Sequence, residues 1–218
     1  MKKFKKLLVY TSSSFLNKSE TSRILKYLEK LCSYLDTYAL EKLNNNVANK
    51  KYDLVLSIGG DGVFISASKY AYKKSIPVLG LNFGRIGFLA DLDKKELQSK
   101  MSKILNGNYI VDKRTMLSGT VYSSGGVNKS ISLNDIVVNN CGKLKMIETD
   151  VFVNKNLITK QRSDGVIVST PTGSTAYAML NGCPIVSPKS NVICIVPIAP
   201  HSYGQRSIII NSSDKVTI

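Results

Sequence analysis

Several things are scarce in this chain of 218 residues. Acidic side chains number 15 against 30 Lys and Arg, and there is one histidine, His201. Its four cysteines, Cys32, Cys141, Cys183 and Cys194, follow no zinc-binding spacing, which argues against a structural zinc module. No run of eighteen apolar residues offers a helical membrane span. Met1–Lys6 is basic but leads straight into a strand-like run, so it does not read as a secretory leader. A cytoplasmic protein with reduced thiols is the simplest expectation. No internal repeat or low-complexity linker is present, and 43% apolar with 21% charged residues is the composition of a folded globular chain.

The formal charge is +15, with net +10 on residues 1–104 and +5 on the remainder. Apart from Lys2, Lys3, Lys5 and Lys6 the cations are scattered, and aromatics do not alternate with them as a nucleic-acid stacking platform requires. A solvated Lys-rich surface fits this pattern, and so does binding of anionic small molecules such as nucleotides.

The chain is organised around Ser57-Ile58-Gly59-Gly60-Asp61-Gly62. It follows the apolar run Leu54-Val55-Leu56 and precedes a helix-like stretch from Val63. A buried strand opening through glycines into a helix leaves backbone N–H groups unpaired, with no side chains to keep a phosphate away. Gly59, Gly60 and Gly62 are the phosphate-binding candidates. A carboxylate among them is repelled by a polyphosphate unless it binds a metal or takes a proton, which makes Asp61 the catalytic candidate. The same residues also suit a plain strand-to-helix turn with a capping Asp.

Leu7–Tyr10 reads as a first strand, Glu20–Leu35 as an amphipathic helix, the stretch from Val63 through Tyr72 as a second helix, and Ile76–Leu81 as another buried strand. Tyr38–Asn49 carries no clear pattern. Lys94–Leu105 reads as a further helix stopped by Gly107. Beyond it, seven short β-rich runs centred on Val121, Ser132, Val137, Phe152, Ile167, Cys194 and Ile209 are separated by turn residues. The fold class expected is α/β: a parallel-sheet α/β domain over residues 1–105, then a β-rich, β-sandwich-like domain over 106–218. Ligands of such parallel sheets sit beyond the carboxyl ends of the strands, where Asp61 and Asn82-Phe83-Gly84 fall.

Ser169–Thr175 holds five hydroxyl residues in seven positions, more than a helix cap requires and suited to sugar hydroxyls or phosphates. Asn134-Asp135 lies between two strand runs and by itself suits a turn. His201, between Pro200 and Ser202, reads as a structural hydrogen-bonding residue rather than a base.

Together these residues carry a resemblance. The Gly59–Gly62 turn, Asn82-Phe83-Gly84 with Gly87–Asp91, Arg114–Leu117, Leu133-Asn134-Asp135, Asp164–Tyr177 and Pro200-His201-Ser202 are similar, in this order, to NAD kinases. The Asp164–Tyr177 stretch is the specific part. The glycine turn is shared with diacylglycerol, sphingosine and phosphofructokinase-like kinases. The resemblance implies transfer of the terminal phosphate of ATP, with a divalent metal expected to be magnesium, to the 2′-hydroxyl of the adenosine ribose of NAD. An aspartate is far too weak a base to ionise that hydroxyl in advance. Transfer through a loose transition state needs only orientation and late acceptance of the proton.

The resemblance also implies that Asp61 and Gly62 meet the ribose and that Asn134 and Asp135 bind the adenosine half of NAD. Lys145, Arg162 and Asp164, the run Thr175, Ala176, Tyr177, Ala178, Met179 and Leu180, and Ala199 would complete the dinucleotide site. Taken singly, Lys145 and Arg162 also suit a solvated surface. A homodimer or homotetramer is implied, with neither nucleic acid nor membrane as partner. Three departures stand out. Val63 replaces the family's Thr, Asp135 its Glu, and Asn181-Gly182-Cys183-Pro184 a run with two glycines, which would bring Cys183 near the ligand. The family also continues past the equivalent of Ile218, so its last segment is expected to be missing. The rival readings are a lipid or sugar kinase built on the same turn and a catalytically silent dinucleotide-binding protein.

Overall fold

The computed structural model describes residues 3–40, 50–83, 89, 92–140 and 145–218. Cys141 and, from the motifs above, Gly84, Gly87, Phe88, Ala90 and Asp91 lie outside them. The chain divides into two compact units, Met1–Asp112 and Lys113–Ile218.

The first unit is a five-stranded sheet in the order β2-β1-β3-β4-β5, with every pairing parallel. Its strands are β1 (Lys6–Thr11), β2 (Tyr34–Ala39), β3 (Leu54–Gly59), β4 (Val78–Asn82) and β5 (Leu92–Asp93). Helices α1 (Ser13–Leu16) and α2 (Ser19–Leu31) lie between β1 and β2, α3 (Asp61–Lys74) between β3 and β4, and α4 (Leu97–Leu105) after β5. β3 is buried at all six positions because alternate side chains enter two different cores. Leu54, Leu56 and Ile58 join Leu7, Val9, Ile24, Leu28 and Met101 on one face. Val55 joins Leu8, Tyr10, Val63 and Ala67 on the other.

The sequence pattern overextends α2. Leu35 continues the helical spacing, yet the helix stops at Leu31. The N–H groups of Ser33 and Tyr34 donate to the Lys5 carbonyl at 2.9 and 3.2 Å, which turns the chain into register with β1 and opposes Leu35 to Leu7. Pairing along a whole strand outweighs one more helical residue. As a sheet edge of mixed burial, β2 shows no alternation to read.

The second unit is antiparallel. Strands β8 (Asp135–Asn139), β11 (Gly165–Ser169), β12 (Val192–Ile198) and β13 (Ile208–Asn211) form a four-stranded sheet ordered β13-β12-β11-β8. A three-stranded sheet is ordered β10-β9-β14, from β9 (Ile147–Val153), β10 (Asn156–Ser163) and β14 (Val216–Thr217). β6 (Leu117–Ser123) and β7 (Gly126–Ser132) make a separate hairpin. Val151 and Val153 of β9 pack against Val166 of β11 and Ile195 of β12, so the two larger sheets face each other as in a sandwich. The opposite face of β11 and β12 gives Ile167, Cys194 and Val196 to a cluster that is closed by Ala178 and Cys183. β10 is absent from the sequence reading because Lys160, Gln161 and Arg162 mask it. The hairpin that makes it turns on Asn154 and Lys155, with φ of 50° and 72°.

Truncating Leu56, fully buried at the centre of the first sheet, is expected to cost about 2–5 kcal/mol. Urea unfolding of Leu56→Ala beside the native chain measures it.

Candidate active site

β3 leaves its sheet at Gly59, whose φ is +154°, a conformation that side chains rarely adopt. A Cβ there would also stand 2.7 Å from Val63 Cγ2. Gly60 then caps α3 in an extended conformation, and Asp61 is the first helical residue. A Cβ on Gly60 or Gly62 would meet nothing within 4 Å among the described residues. The glycines therefore divide the work. Gly59 is required by the turn, whereas Gly60 and Gly62 leave an open approach to the amino end of a 14-residue helix, where backbone donors and the macrodipole favour an anion. The Asp61 carboxylate accepts the Leu89 N–H at 3.4 Å. Phe83 N–H donates to the Gly59 carbonyl at 3.3 Å, which ties the end of β4 to the turn.

Val63 is 8% exposed and packs among Leu8, Tyr10, Val55 and Ala67. The change from the family's Thr therefore falls on the core side of α3, not on an exposed face.

In the second unit the hydroxyl run is turned inward. Ser169, Thr170 and Ser174 are fully buried and Thr172 is 7% exposed. Thr170 Oγ1 donates to the Leu133 carbonyl at 2.6 Å and accepts the Gly173 N–H at 3.0 Å. Thr170 N–H donates to the Asn134 carbonyl at 2.8 Å. Ser174 Oγ donates to the Pro171 carbonyl at 2.7 Å and accepts the Val186 N–H at 3.0 Å. Thr172 Oγ1 accepts from Arg114 Nη1 at 3.4 Å. The expectation that these hydroxyls meet a ligand is thus corrected, because they hold a tight turn against Leu133-Asn134. Gly173 shows how tight. A Cβ there would lie 2.3 Å from the Asn134 carbonyl oxygen and 2.5 Å from Ser169 Oγ.

What the turn presents is Asn134-Asp135 at the start of β8. Asn134 Oδ1 is buried with no hydrogen-bond partner among the described residues. Burial raises the Asp135 carboxyl above the ordinary aspartate range. Both groups carry an uncompensated polar cost of the kind that a ligand donor would relieve.

The remaining candidates separate. Asp164 is exposed between β10 and β11, and its N–H donates to the Ile198 carbonyl at 2.9 Å. Arg162 is exposed on β10, and its carbonyl accepts the His201 N–H at 2.9 Å. His201 therefore makes its structural hydrogen bond through the backbone while its side chain is exposed. Lys145 is exposed, with its carbonyl accepting from Asn140 Nδ2 at 2.7 Å. Ala199 has a φ of 42°, unusual for a residue with a Cβ.

Thr175 closes a 3-10 turn (Gly173–Thr175), Ala176 follows, and α5 spans Tyr177–Leu180. Tyr177, Met179 and Leu180 are exposed, but Ala178 is fully buried against Ile167 and Cys194. Cys183 is likewise in that core, where burial and the neighbouring Cys194 push its thiol up to about 12. The signal missed throughout was burial of hydroxyls, which a sequence does not mark.

The sequence matches the ATP-NAD kinase N-terminal domain over residues 2–109 and the ATP-NAD kinase C-terminal domain over 133–218. The NAD kinase of Legionella pneumophila (strain Corby) is 34% identical over 99% of this chain and 78% of its own length. The chain belongs to the NAD kinase family. The NAD kinase of Coxiella burnetii (strain Dugway 5J108-111) is 40% identical over 87% of this chain, a match that spans 64% of that relative's length. Among solved structures, an NAD kinase from Archaeoglobus fulgidus in complex with ATP superposes with a TM-score of 0.76 at 25% identity, covering 97% of this chain and 79% of that one. Yeast NADH kinase complexed with NADH shares the fold, with a TM-score of 0.86 at 21% identity over 99% of this chain and 72% of that one. The NAD kinase fold thus accounts for both units, the parallel α/β one and the antiparallel one.

Two outcomes follow from the second unit. Gly173→Ala is expected to cost about 1–3 kcal/mol, since backbone has to move to admit the methyl group, and chemical denaturation reads this directly. Asp135 has a raised folded pKa, so the stability it contributes is intact below the unfolded value of about 3.9 and is lost as pH rises through the folded value. Asp135→Asn should therefore unfold at higher urea than the native chain at pH 7, with the difference shrinking towards about pH 4.

Proposed function

We propose that this chain is a phosphotransferase that moves the terminal phosphate of ATP to the 2′-hydroxyl of the adenosine ribose of NAD, making NADP. The observation that carries the reading is Asp61. It is a carboxylate at the amino end of α3, oriented by the Leu89 N–H and flanked by two glycines with open space over them. In this reading the amides of Gly60 and Gly62 receive phosphate oxygens, Asp61 orients the ribose hydroxyl, and the carboxylate accepts its proton as the bond to phosphorus forms.

On the second unit, Asn134 and Asp135 receive the adenosine half of NAD. The buried Asn134 Oδ1 can accept from an amino group, and the Asp135 carboxyl can meet ribose hydroxyls. Thr175, Ala176, Tyr177, Met179, Leu180 and Ala199 line the dinucleotide, with Lys145, Arg162 and Asp164 as its charged neighbours. Ala178 acts by packing α5 onto the sheet.

Magnesium suits this chemistry because it keeps much of its water and binds through substrate phosphates with one or two carboxylates. Among the described residues no three His, Cys, Asp or Glu side chains gather as a protein metal cage, and a phosphate-borne ion asks for none. When bound with the donor, the ion would supply positive charge that offsets the phosphates beside Asp61. The reading also includes a homo-oligomer in the cytoplasm. Half-exposed Leu157, Ile158 and Ile209 on strands of the second unit suit contact with another copy.

Purified chain with NAD, ATP and magnesium should form NADP, and Asp61→Asn should lose about 10²–10⁴-fold in kcat while still binding NAD. NAD binding without NADP formation by the native chain would leave a silent dinucleotide-binding protein instead.

A further inference from the structure

The order β2-β1-β3-β4-β5 reverses between β1 and β3, because the chain leaves β1 towards one edge and returns through β3 towards the other. In open parallel sheets the crevice at such a reversal, outside the carboxyl ends of the strands, is where ligands sit. One lip is the Gly59–Asp61 turn already described. The other is Thr11-Ser12-Ser13-Ser14, which no motif of the family resemblance includes.

The two lips are fixed to each other. Thr11 Oγ1 donates to the Ile58 carbonyl at 2.7 Å, and Thr11 and Ile58 are both fully buried. Tyr10 opposes Ser57 in the β1–β3 register, so Ser12 and Gly59 both follow the last paired positions, at the carboxyl ends of adjacent strands. The Ser12 and Ser14 hydroxyls are 2.8 Å apart. Phe15 rests its ring edge against the glycine turn, with Cε2 3.5 Å from where a Gly59 Cβ would be, and meets Phe83 edge to face at 5.8 Å.

The Lys18 ammonium stands over the Phe15 ring, 4.3 Å from its centre. Lys94, over Phe83, is neutralised by Glu20 at 3.2 Å. Lys18 makes no ion pair among the described residues. The ring contact localises its charge without cancelling it.

We infer that Lys18, with the hydroxyls of Ser12 and Ser14, holds the phosphoanhydride chain of the phosphoryl donor at this switch point. The inference rests on the kinase reading and adds the donor side to it. Hydroxyls donate short hydrogen bonds to phosphate oxygens, and a lysine serves phosphate as a point charge. The donor then lies along the β1 lip with its terminal phosphate directed to Gly60, Asp61 and Gly62. The ligand class is a nucleoside triphosphate or an inorganic polyphosphate.

Steady-state kinetics on the full chain, together with calorimetric binding of magnesium-ATP and magnesium-tripolyphosphate in the absence of NAD, test this. Lys18→Ala should raise the KM for ATP and weaken magnesium-ATP binding about tenfold, the scale of one charge-assisted contact, and leave the KM for NAD within about twofold. Lys18→Arg should recover most of the loss, and the Ser12→Ala/Ser14→Ala double variant should reproduce part of it. Tripolyphosphate binding as tight as ATP would assign the lip to the phosphate chain alone, whereas much weaker binding that still depends on Lys18 would add contacts to the nucleoside. Unchanged ATP affinity in both the Lys18→Ala and double-serine variants, each melting like the native chain, would overturn the inference. If the native chain makes no NADP, the kinase reading fails by itself, and the calorimetry still decides the site. Binding that depends on Lys18 supports it, and binding that does not, or its absence, overturns it.

Discussion

A strand buried on both faces has to leave its sheet without exposing the backbone it has just paired, and β3 does so with a residue that no side chain could replace. The φ of Gly59 and its contact with Val63 fix where α3 begins, and with it the direction in which Asp61 and the amides beside Gly60 and Gly62 point. The constraint also runs backwards through the sheet. Leu56 and Ile58 face one core and Val55 the other, so a one-residue slip of β3 would exchange its two faces and carry the turn away from the carboxyl edge. Core packing and the placement of the Asp61 carboxylate are thus one problem, solved by one six-residue strand.

The second unit meets a similar demand with hydrogen bonds in place of apolar contacts. Its tight turn at Ser169–Ser174 buries four hydroxyl groups, each of which would be costly if left unpaired. They are satisfied by carbonyls and N–H groups of neighbouring segments, so that the polar residues act as a clamp. The clamp presses the backbone of Gly173 onto that of Asn134, and Gly173 is glycine because no Cβ fits between them. Rigid presentation of Asn134-Asp135 follows, since a side chain placed by a fully bonded turn loses little further freedom when it meets a ligand.

The elements that were legible in the sequence are those in which one physical term dominates. The apolar run into Gly59 and the spacing of Ile24 and Leu28 were plain, as were the short β runs of Val166–Val168 and Val192–Val196. The end of α2 was not, because pairing of Tyr34–Ala39 with β1 competes with helical periodicity and depends on residues some 28 positions away. β10 was hidden by its polar residues, whose role comes from pairing with β9. Within the site, the glycine turn and Asp61 could be located from composition alone. The direction of the Ser169–Thr175 hydroxyls could not, since an inward and an outward hydroxyl are the same letter.

Local rules are broken in this chain both where a turn demands it and where the core does not. Positive φ at Ser75 ends a helix, and at Asn154 and Lys155 it makes a hairpin, so each has a structural reason. Ala199 has none of these; it follows β12 and precedes Pro200, at 42°. The Asn134 amide oxygen, buried without a partner among the described residues, and the Asp135 carboxyl, raised by burial, add two electrostatic costs in the same unit. Two of these costs could be removed by a simple substitution, since a glycine would relax residue 199 and an amide would discharge residue 135. Strain and desolvation that packing does not require are costs of the kind a polar ligand offsets, because it returns the missing hydrogen bonds only in the bound state. A chain adapted for stability alone would carry neither.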